Sequence, residues 1–321
     1  MYNLFERNKM YDTVNLWLDS SNAPPPSVLL QCLQNVTESQ NEARGHRVIG
    51  NANNYAVTAG ETGMSLHGSL AKYLFGENVS QLTRANTQEA IERLSDHLHA
   101  DIGLAKVLRL DVAATIPTDH APADYLQMLG TKRYFTRVQA TANSLYYNTE
   151  ARRLEFYDKA REARFASMKI PTALQGLNLL RYEYRLMHRL QHTLKAKKTP
   201  TAADLYNAQF YYKLVQMWGN EFTTINKLNN SFMIDNATTP KEAKDLLLAT
   251  LLHQTNDPQQ IIEALVSQLK RANKFSDRKA YSRLKSELQN LLKGQPALTD
   301  LTSPLVVELQ QKINDFVKYA R

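Results

Sequence analysis

Apolar and polar residues alternate over residues 11–18, with Val14, Leu16 and Leu18 on one side and Thr13, Asn15 and Trp17 on the other. A period of two predicts a half-buried β-strand. Pro24, Pro25 and Pro26 break the chain, and residues 28–36 read as a helix packed on that strand. Short strands follow over 46–49, 55–58 and 62–70, the first two parted by the polar turn 51–54. Ala90, Ile91, Leu94 and Leu98 recur at helical spacing, so 87–98 reads as a helix with Thr87 as its cap. Residues 106–116 form a strand closed by Pro117, and 121–128 a short helix ended by Gly130. Three β-rich runs, 134–140, 144–147 and 152–157, come in close order, and the turn 148–151 predicts a hairpin between the last two. Residues 179–187 give one more strand.

After about residue 199 the period changes. Residues 202–225 read as a long helical stretch in which Phe210, Leu214 and Met217 pack on the sheet. Four more amphipathic helices are predicted over 240–253, 259–274, 278–293 and 305–319, with leucine at three- and four-residue spacing. The fold class is therefore α+β: a central, mainly antiparallel sheet with packed helices over about 10–230, then a helical C-terminal region over about 240–321.

Composition narrows the class. The 321 residues carry 39 Lys+Arg against 31 Asp+Glu, a formal charge of +8. An excess of this size favours an anionic partner without identifying one. The single cysteine, Cys32, excludes an internal disulfide and a Cys-rich zinc module. It has no cationic neighbour in sequence and reads as a small buried hydrophobe. No run approaches the roughly 18 apolar residues of a membrane span, and the first ten residues lack a signal-peptide core. The expectation is a soluble cytoplasmic protein with no membrane partner.

Four short segments carry candidate chemistry. Residues 64–78 join a strand to a Gly68-Ser69 turn and Lys72, which alone reads as an ordinary hairpin. In the second, Asp111 lies in the middle of an apolar strand, where a carboxylate is costly unless paired or metal-bound. Arg109 shares its strand face and offers a structural ion pair as the alternative. In the third, Glu155, Tyr157 and Lys159 share one strand face, and an ammonium beside a phenol favours the phenolate. In the fourth, Arg181, Glu183 and Arg185 line one face, either as a surface ion-pair row or as a metal ligand flanked by phosphate contacts.

In this order and at these spacings, the four segments resemble the rolling-circle replication initiators, above all those of filamentous phages and their phage and plasmid relatives. The resemblance rests on Gly68-Ser69-Leu70-Ala71-Lys72 with Gly76-Glu77-Asn78 behind it, Arg109-Leu110-Asp111, Tyr157-Asp158-Lys159 and Arg181-Tyr182-Glu183. It covers about residues 60–230.

The resemblance implies that Tyr157 attacks an origin DNA phosphodiester and becomes 5′-phosphotyrosyl-linked, with Lys159 beside it. It implies a divalent cation, Mg or Mn, on Asp111 and Glu183. Two carboxylates and a phosphate oxygen suit such an ion. The wider superfamily carries a His-hydrophobe-His metal motif on a strand. Here His97 and His99 end a helical run, where residues two apart diverge, so His67 beside Gly68 is the better imidazole ligand. Lys72, Arg109, Arg152, Arg153, Arg161, Arg181 and Arg185 are the candidate DNA contacts, within a basic stretch running on to Lys198.

The implied partners are the origin and its nicked strand, with a host helicase or polymerase beyond them. Tyr146 or Tyr147 would be a second acceptor tyrosine. Two other readings stay open from the residues alone. One is a non-enzymatic DNA-binding protein, a repressor or degenerate initiator. The other is a relaxase-type strand transferase. The test between enzyme and binder is whether Asp111, Tyr157, Lys159 and Glu183 converge.

Overall fold

In the computed structural model, which describes residues 10–41, 45–77, 82–228, 239–253, 255, 257–293 and 303–319, the first alternating run is strand β1 (Tyr11–Asp19). Its apolar set, Val14, Leu16 and Leu18, is buried. The helix after the prolines, α1 (Pro26–Cys32), stops sooner than expected, and the chain turns into strand β2 (Gln34–Asn41). That strand is almost wholly polar and lies at the sheet edge, so no apolar alternation marked it. Strands β3 (Gly45–Ala52), β4 (Tyr55–Gly60) and β5 (Gly63–Ser69) follow as a meander.

At Ser69 the strand becomes helix α2 (Leu70–Phe75) rather than a hairpin turn. Ser69 Oγ accepts from Lys72 N at 3.3 Å, and Gly76 ends the helix at φ 78°. Helix α3 (Arg84–Leu98) is capped by Thr83, not Thr87. Thr83 Oγ1 accepts from Asn86 N at 2.8 Å, and Asn86 Oδ1 accepts from Thr83 N at 3.2 Å. Strand β6 (Lys106–Thr118) runs through Pro117, and α4 (Pro122–Gln127) leads into β7 (Leu129–Lys132). Then come β8 (Thr136–Thr141), β9 (Ser144–Asn148), β10 (Arg152–Asp158), α5 (Lys159–Phe165), β11 (Asn178–Leu186) and α6 (Leu190–Thr193). The long helical stretch divides into a 3-10 turn, Ala202–Tyr206, and α7 (Ala208–Thr223), after which β12 (Ile225–Lys227) pairs with β7.

The ten-stranded sheet has the order β2-β3-β4-β5-β1-β6-β11-β10-β9-β8, with every pairing antiparallel. Two meanders thus flank the central β1–β6 pair. Most buried apolar side chains of the strands lie on one face. On that face Phe156 stacks on Tyr182 at 4.3 Å, Tyr182 on Trp218 of α7 at 4.6 Å, and Trp218 meets Phe316 edge-on at 6.1 Å. Each such contact is worth about 0.5–1.5 kcal/mol beyond burial. The buried stripe of α7 is Tyr211, Leu214, Val215, Trp218 and Phe222, with Phe210 and Met217 at its margin. The opposite face of the sheet carries the polar residues.

The chain divides into two compact units. One comprises residues up to Lys227 together with Leu305 onward, and the other residues 228–304. Helix α11 (Pro304–Lys318) was expected to belong to the C-terminal helical region. It packs in the first unit instead, with Leu309, Ile313 and Phe316 buried in the core of the sheet domain. Full burial of such side chains stabilises by about 1.5–3 kcal/mol each. Its polar side is tied as well. Glu308 accepts from Asp119 N at 3.0 Å, and Lys312 donates to Pro117 O at 2.8 Å.

The second unit contains α8 (Pro240–His253), α9 (Pro258–Arg271) and α10 (Arg278–Lys293) around Leu246, Ala249, Ile262, Val266 and Tyr281. Among the described residues no helix is long and apolar enough to cross a membrane.

Candidate active site

The register of three neighbouring strands builds the site. Across β10, β11 and β6, Tyr157 lies opposite Arg181, and Arg181 opposite Thr115. In the next row Glu155, Glu183 and Ala113 are aligned, and in the third Arg153, Arg185 and Asp111. Because side chains alternate along a strand, all of these project from the polar face. The three strand segments singled out in the sequence therefore form one grid.

Hydrogen bonds and ion pairs knit it. Tyr157 donates from its hydroxyl to Glu183 Oε1 at 2.8 Å. Arg181 Nε donates to the same oxygen at 3.2 Å, and Arg185 Nη2 to Glu183 Oε2 at 2.8 Å. Arg185 also lies 2.5 Å from Glu155 Oε2 and 3.5 Å from Asp111 Oδ2. Arg109 clamps Asp111 with two bonds, 2.9 Å from Nε and 2.6 Å from Nη2. Arg181 extends to Thr115 Oγ1 at 2.9 Å and to Asp12 Oδ2 at 2.7 Å, and Asp12 Oδ1 accepts from Ser69 Oγ at 2.8 Å. The chain of contacts thus runs from Ser69, at the head of α2, to Tyr157.

Burial sets the electrostatics. Asp111 is 2 % exposed, and burial pushes its carboxyl up to about 6 against the opposing pull of Arg109. Burial raises Glu155 to about 7. Glu183 is also buried, yet Arg181 and Arg185 overcome that and hold it well below the usual carboxylate range. The Tyr157 phenol is raised well above its ordinary value, first by burial and then by the Glu183 carboxylate. This corrects the expectation that Lys159 would favour the phenolate.

Lys159 is fully buried, and its pKa is lowered by burial and by Arg181. It is not on the strand: β10 ends at Asp158, which caps α5 through Arg161 N at 2.8 Å, and Lys159 opens that helix. Its ammonium lies 2.7 Å from Glu162 and 5.9 Å from the centre of the Tyr157 ring. Lys159 is therefore brought to the nucleophile, but by a helix start rather than by strand alternation.

The remaining predicted residues divide. His67 is exposed on β5, opposite Asn15 of β1, which lies opposite Arg109 of β6. Two strand spacings, about 9–10 Å, separate its backbone from that of β6. Lys72 is exposed on α2, and Arg161 is exposed on α5 over the Phe165 ring. Arg153 is on the polar face, bonded to Asn148 Oδ1 at 2.7 Å and over the ring of Tyr146.

Arg152 points to the other side, where it pairs with Glu221 of α7 at 2.9 Å, so it is not part of this site. Arg181 is 2 % exposed with its donors engaged, and acts beneath the surface rather than as an open phosphate contact. Tyr146 is on the site face, whereas Tyr147 is buried among the helices with its hydroxyl on Gly130 O at 2.7 Å. Asn78 lies outside the described residues. His97 is structural: Nε2 lies 2.9 Å from Cys32 O and Nδ1 3.3 Å from the Tyr73 hydroxyl.

Asp111 and Glu183 have the oxygen donors that Mg or Mn prefer. In the arrangement seen here, however, Arg109, Arg181 and Arg185 occupy them. Among the described residues no group of three or more His, Cys, Asp or Glu side chains is placed to hold an ion.

Sequence reasoning missed Asp12, Ser69 and Thr115 as parts of the network. Asp12 is 5 % exposed in a strand, and the criterion that drew attention to Asp111 applies to it equally. A bulge in β1 between Tyr11 and Val14 obscured the alternation there.

A family model for the N-terminal part of a phage replication-associated protein matches residues 10–209. No curated protein matches the chain.

Proposed function

Because the chain belongs to this family of phage rolling-circle replication initiators, we propose that it nicks origin DNA by transesterification at Tyr157. The observation that carries this reading is the 2.8 Å hydrogen bond from Tyr157 to Glu183, on a polar sheet face beside Arg109, Arg153 and Arg185.

The exchange balances in one step each way. Tyr157 Oη attacks phosphorus and gives its proton to Glu183. The bond from phosphorus to the 3′ oxygen breaks, and that oxygen takes a proton from water. The products are a free 3′-hydroxyl, which can prime synthesis, and a 5′-phosphate esterified to Tyr157. One ester replaces another, so a returning 3′-hydroxyl reseals the strand without nucleotide hydrolysis.

At rest the phenol holds its proton, since Arg181 and Arg185 keep Glu183 a weak base. An arriving phosphate competes for Arg185. As that guanidinium turns from Glu183 to the phosphate, Glu183 gains basicity when it is needed. The remaining arginine charge meets the negative charge building on phosphate. Asp111 and Glu183 are the residues that would hold a Mg or Mn ion, whose contribution there would be to polarise the scissile phosphate. They could do so only after Arg109, Arg181 and Arg185 yield those oxygens.

The test uses supercoiled DNA bearing the protein's own origin, with Mg²⁺ or Mn²⁺, and asks for protein-linked DNA after denaturation. We expect a 5′-linked adduct with the wild type and none with Tyr157→Phe. An adduct that survives Tyr157→Phe would move the chemistry to another tyrosine. Salt-sensitive binding with neither nick nor adduct would favour the non-enzymatic DNA-binding reading.

A further inference from the structure

The family match ends at residue 209, and the helical unit lies wholly beyond it. Between residues 239 and 293 there are ten Lys or Arg and six Asp or Glu. They are not evenly spread. Residues 270–283 hold six of the basic residues, Lys270, Arg271, Lys274, Arg278, Lys279 and Arg283, against one acid, Asp277. Outside that segment four basic residues face five acidic ones. The whole net positive charge of the described part of this unit is therefore concentrated in one place.

That place is a built corner. Helices α9 and α10 run antiparallel, as the Glu263–Lys285 ion pair at 3.0 Å and the Gln289–Gln259 hydrogen bond at 3.2 Å show. The chain reverses between Arg271 and Arg278. Asn273 adopts φ 46°, and the Tyr281 hydroxyl accepts from Phe275 N at 2.8 Å while the two rings meet at 4.9 Å. Tyr281 is buried, so the reversal is pinned to the core of the unit. All six cations are exposed. Arg283 pairs with Asp277, and the charge of the other five is not offset within the corner.

Holding like charges together costs repulsion, which an anionic lattice removes. DNA presents a phosphate charge about every 1.7 Å along its axis, a regular anionic lattice that such a cluster of cations can engage at several points. What the corner exposes is a cluster of Lys and Arg side chains, the groups that most protein–DNA phosphate contacts use, so its contacts would be with the backbone. We propose that the α9–α10 corner is a second DNA-contact surface that grips the duplex phosphate backbone irrespective of sequence. Tethered to the sheet domain, it raises the local concentration of DNA there by linkage. The inference does not rest on chemistry at Tyr157.

The test uses the full-length protein, a random-sequence 30-bp duplex without an origin, and fluorescence anisotropy over a range of salt concentrations with a chelator present. The variant Lys274→Gln/Lys279→Gln/Arg278→Gln should bind at least tenfold more weakly at low salt. The slope of log affinity against log salt should fall by about 2–3, near 0.9 per lost phosphate contact. A control with Lys241→Gln, Lys244→Gln and Lys293→Gln removes the same charge from elsewhere in the unit and should change the slope by less than about 1.

Unchanged binding in the corner variant, or equal losses in the two variants, overturns the proposal. So does corner-dependent binding to phosphatidylserine vesicles without corner-dependent binding to DNA. If the triple variant loses helical content, Lys274→Gln and Lys279→Gln singly provide the same reading at about one slope unit each.

Discussion

Arg181 Nη2 donates to Asp12 Oδ2 at 2.7 Å, joining two residues that are 169 positions apart in the chain. Both are buried, and Asp12 also accepts from Ser69. The pair couples the strand that carries Arg181 and Glu183 to the head of α2.

Removing one partner of a buried ion pair leaves the other charge stranded. Asp12→Ala should therefore destabilise the protein by about 3–5 kcal/mol in urea unfolding. Asp12→Asn keeps an acceptor and the shape, and should cost less. If the alanine variant unfolds at the wild-type urea midpoint, Asp12 does not anchor Arg181.

Glu155 gives a pH signature. Its carboxyl titrates near 7 in the folded chain, against about 4.5 when exposed. Between those values the folded state keeps a proton that the unfolded chain has released. This group's contribution to stability thus falls as pH rises from about 4.5 to 7. Glu155→Gln cannot ionise and should gain on the wild type over that window, reaching up to about 3 kcal/mol at pH 8. At pH 4 the two should match. Melting curves at both pH values check it, and a constant difference would refute the assignment.

Gly68 belongs to the segment that carries part of the family resemblance, near the end of β5, and its requirement is steric. A Cβ there would lie 2.6 Å from Cγ of Tyr55, whose ring is fully buried. Gly68→Ala should cost about 1–3 kcal/mol from overpacking. The measurement is a denaturant titration, and a neutral result would mean that the β4–β5 pair yields easily.

Helix α11 provides a test of domain boundaries. Ile313 is fully buried in the core of the sheet domain although it follows the family match by about a hundred residues. Ile313→Ala should destabilise that domain by about 2–5 kcal/mol. Hydrogen exchange would locate the loss, and protection lost only within α8–α10 would contradict the packing described here.

Much of the fold is legible along the chain because its signals are local. Period-two runs mark β1, β6, β10 and β11, and period-3.6 runs mark α3 and α7 to α11. Where no local apolar signal exists the reading fails. The first residues of the polar edge strand β2 read as the end of a helix, and the rest carry no apolar alternation. The Asp158 cap, which turns the chain into α5, was hidden in a motif that looked like strand.

The site divides in the same way. By itself the sequence determined that Asp111, Tyr157, Glu183 and the alternating arginines share strand faces, since side-chain period follows from backbone geometry alone. Strand order and register were decided only in three dimensions. They made β6, β11 and β10 neighbours, put Asp12 within reach of Arg181, and gave the carboxylates to guanidinium groups. Those pairings depend on contacts between segments far apart in the chain, and a local hydrophobic pattern is the same whichever partner a strand acquires. The docking of α11 follows the same logic. Its amphipathic stripe predicted burial, but which core would receive it depended on the aromatic column from Phe156 to Trp218.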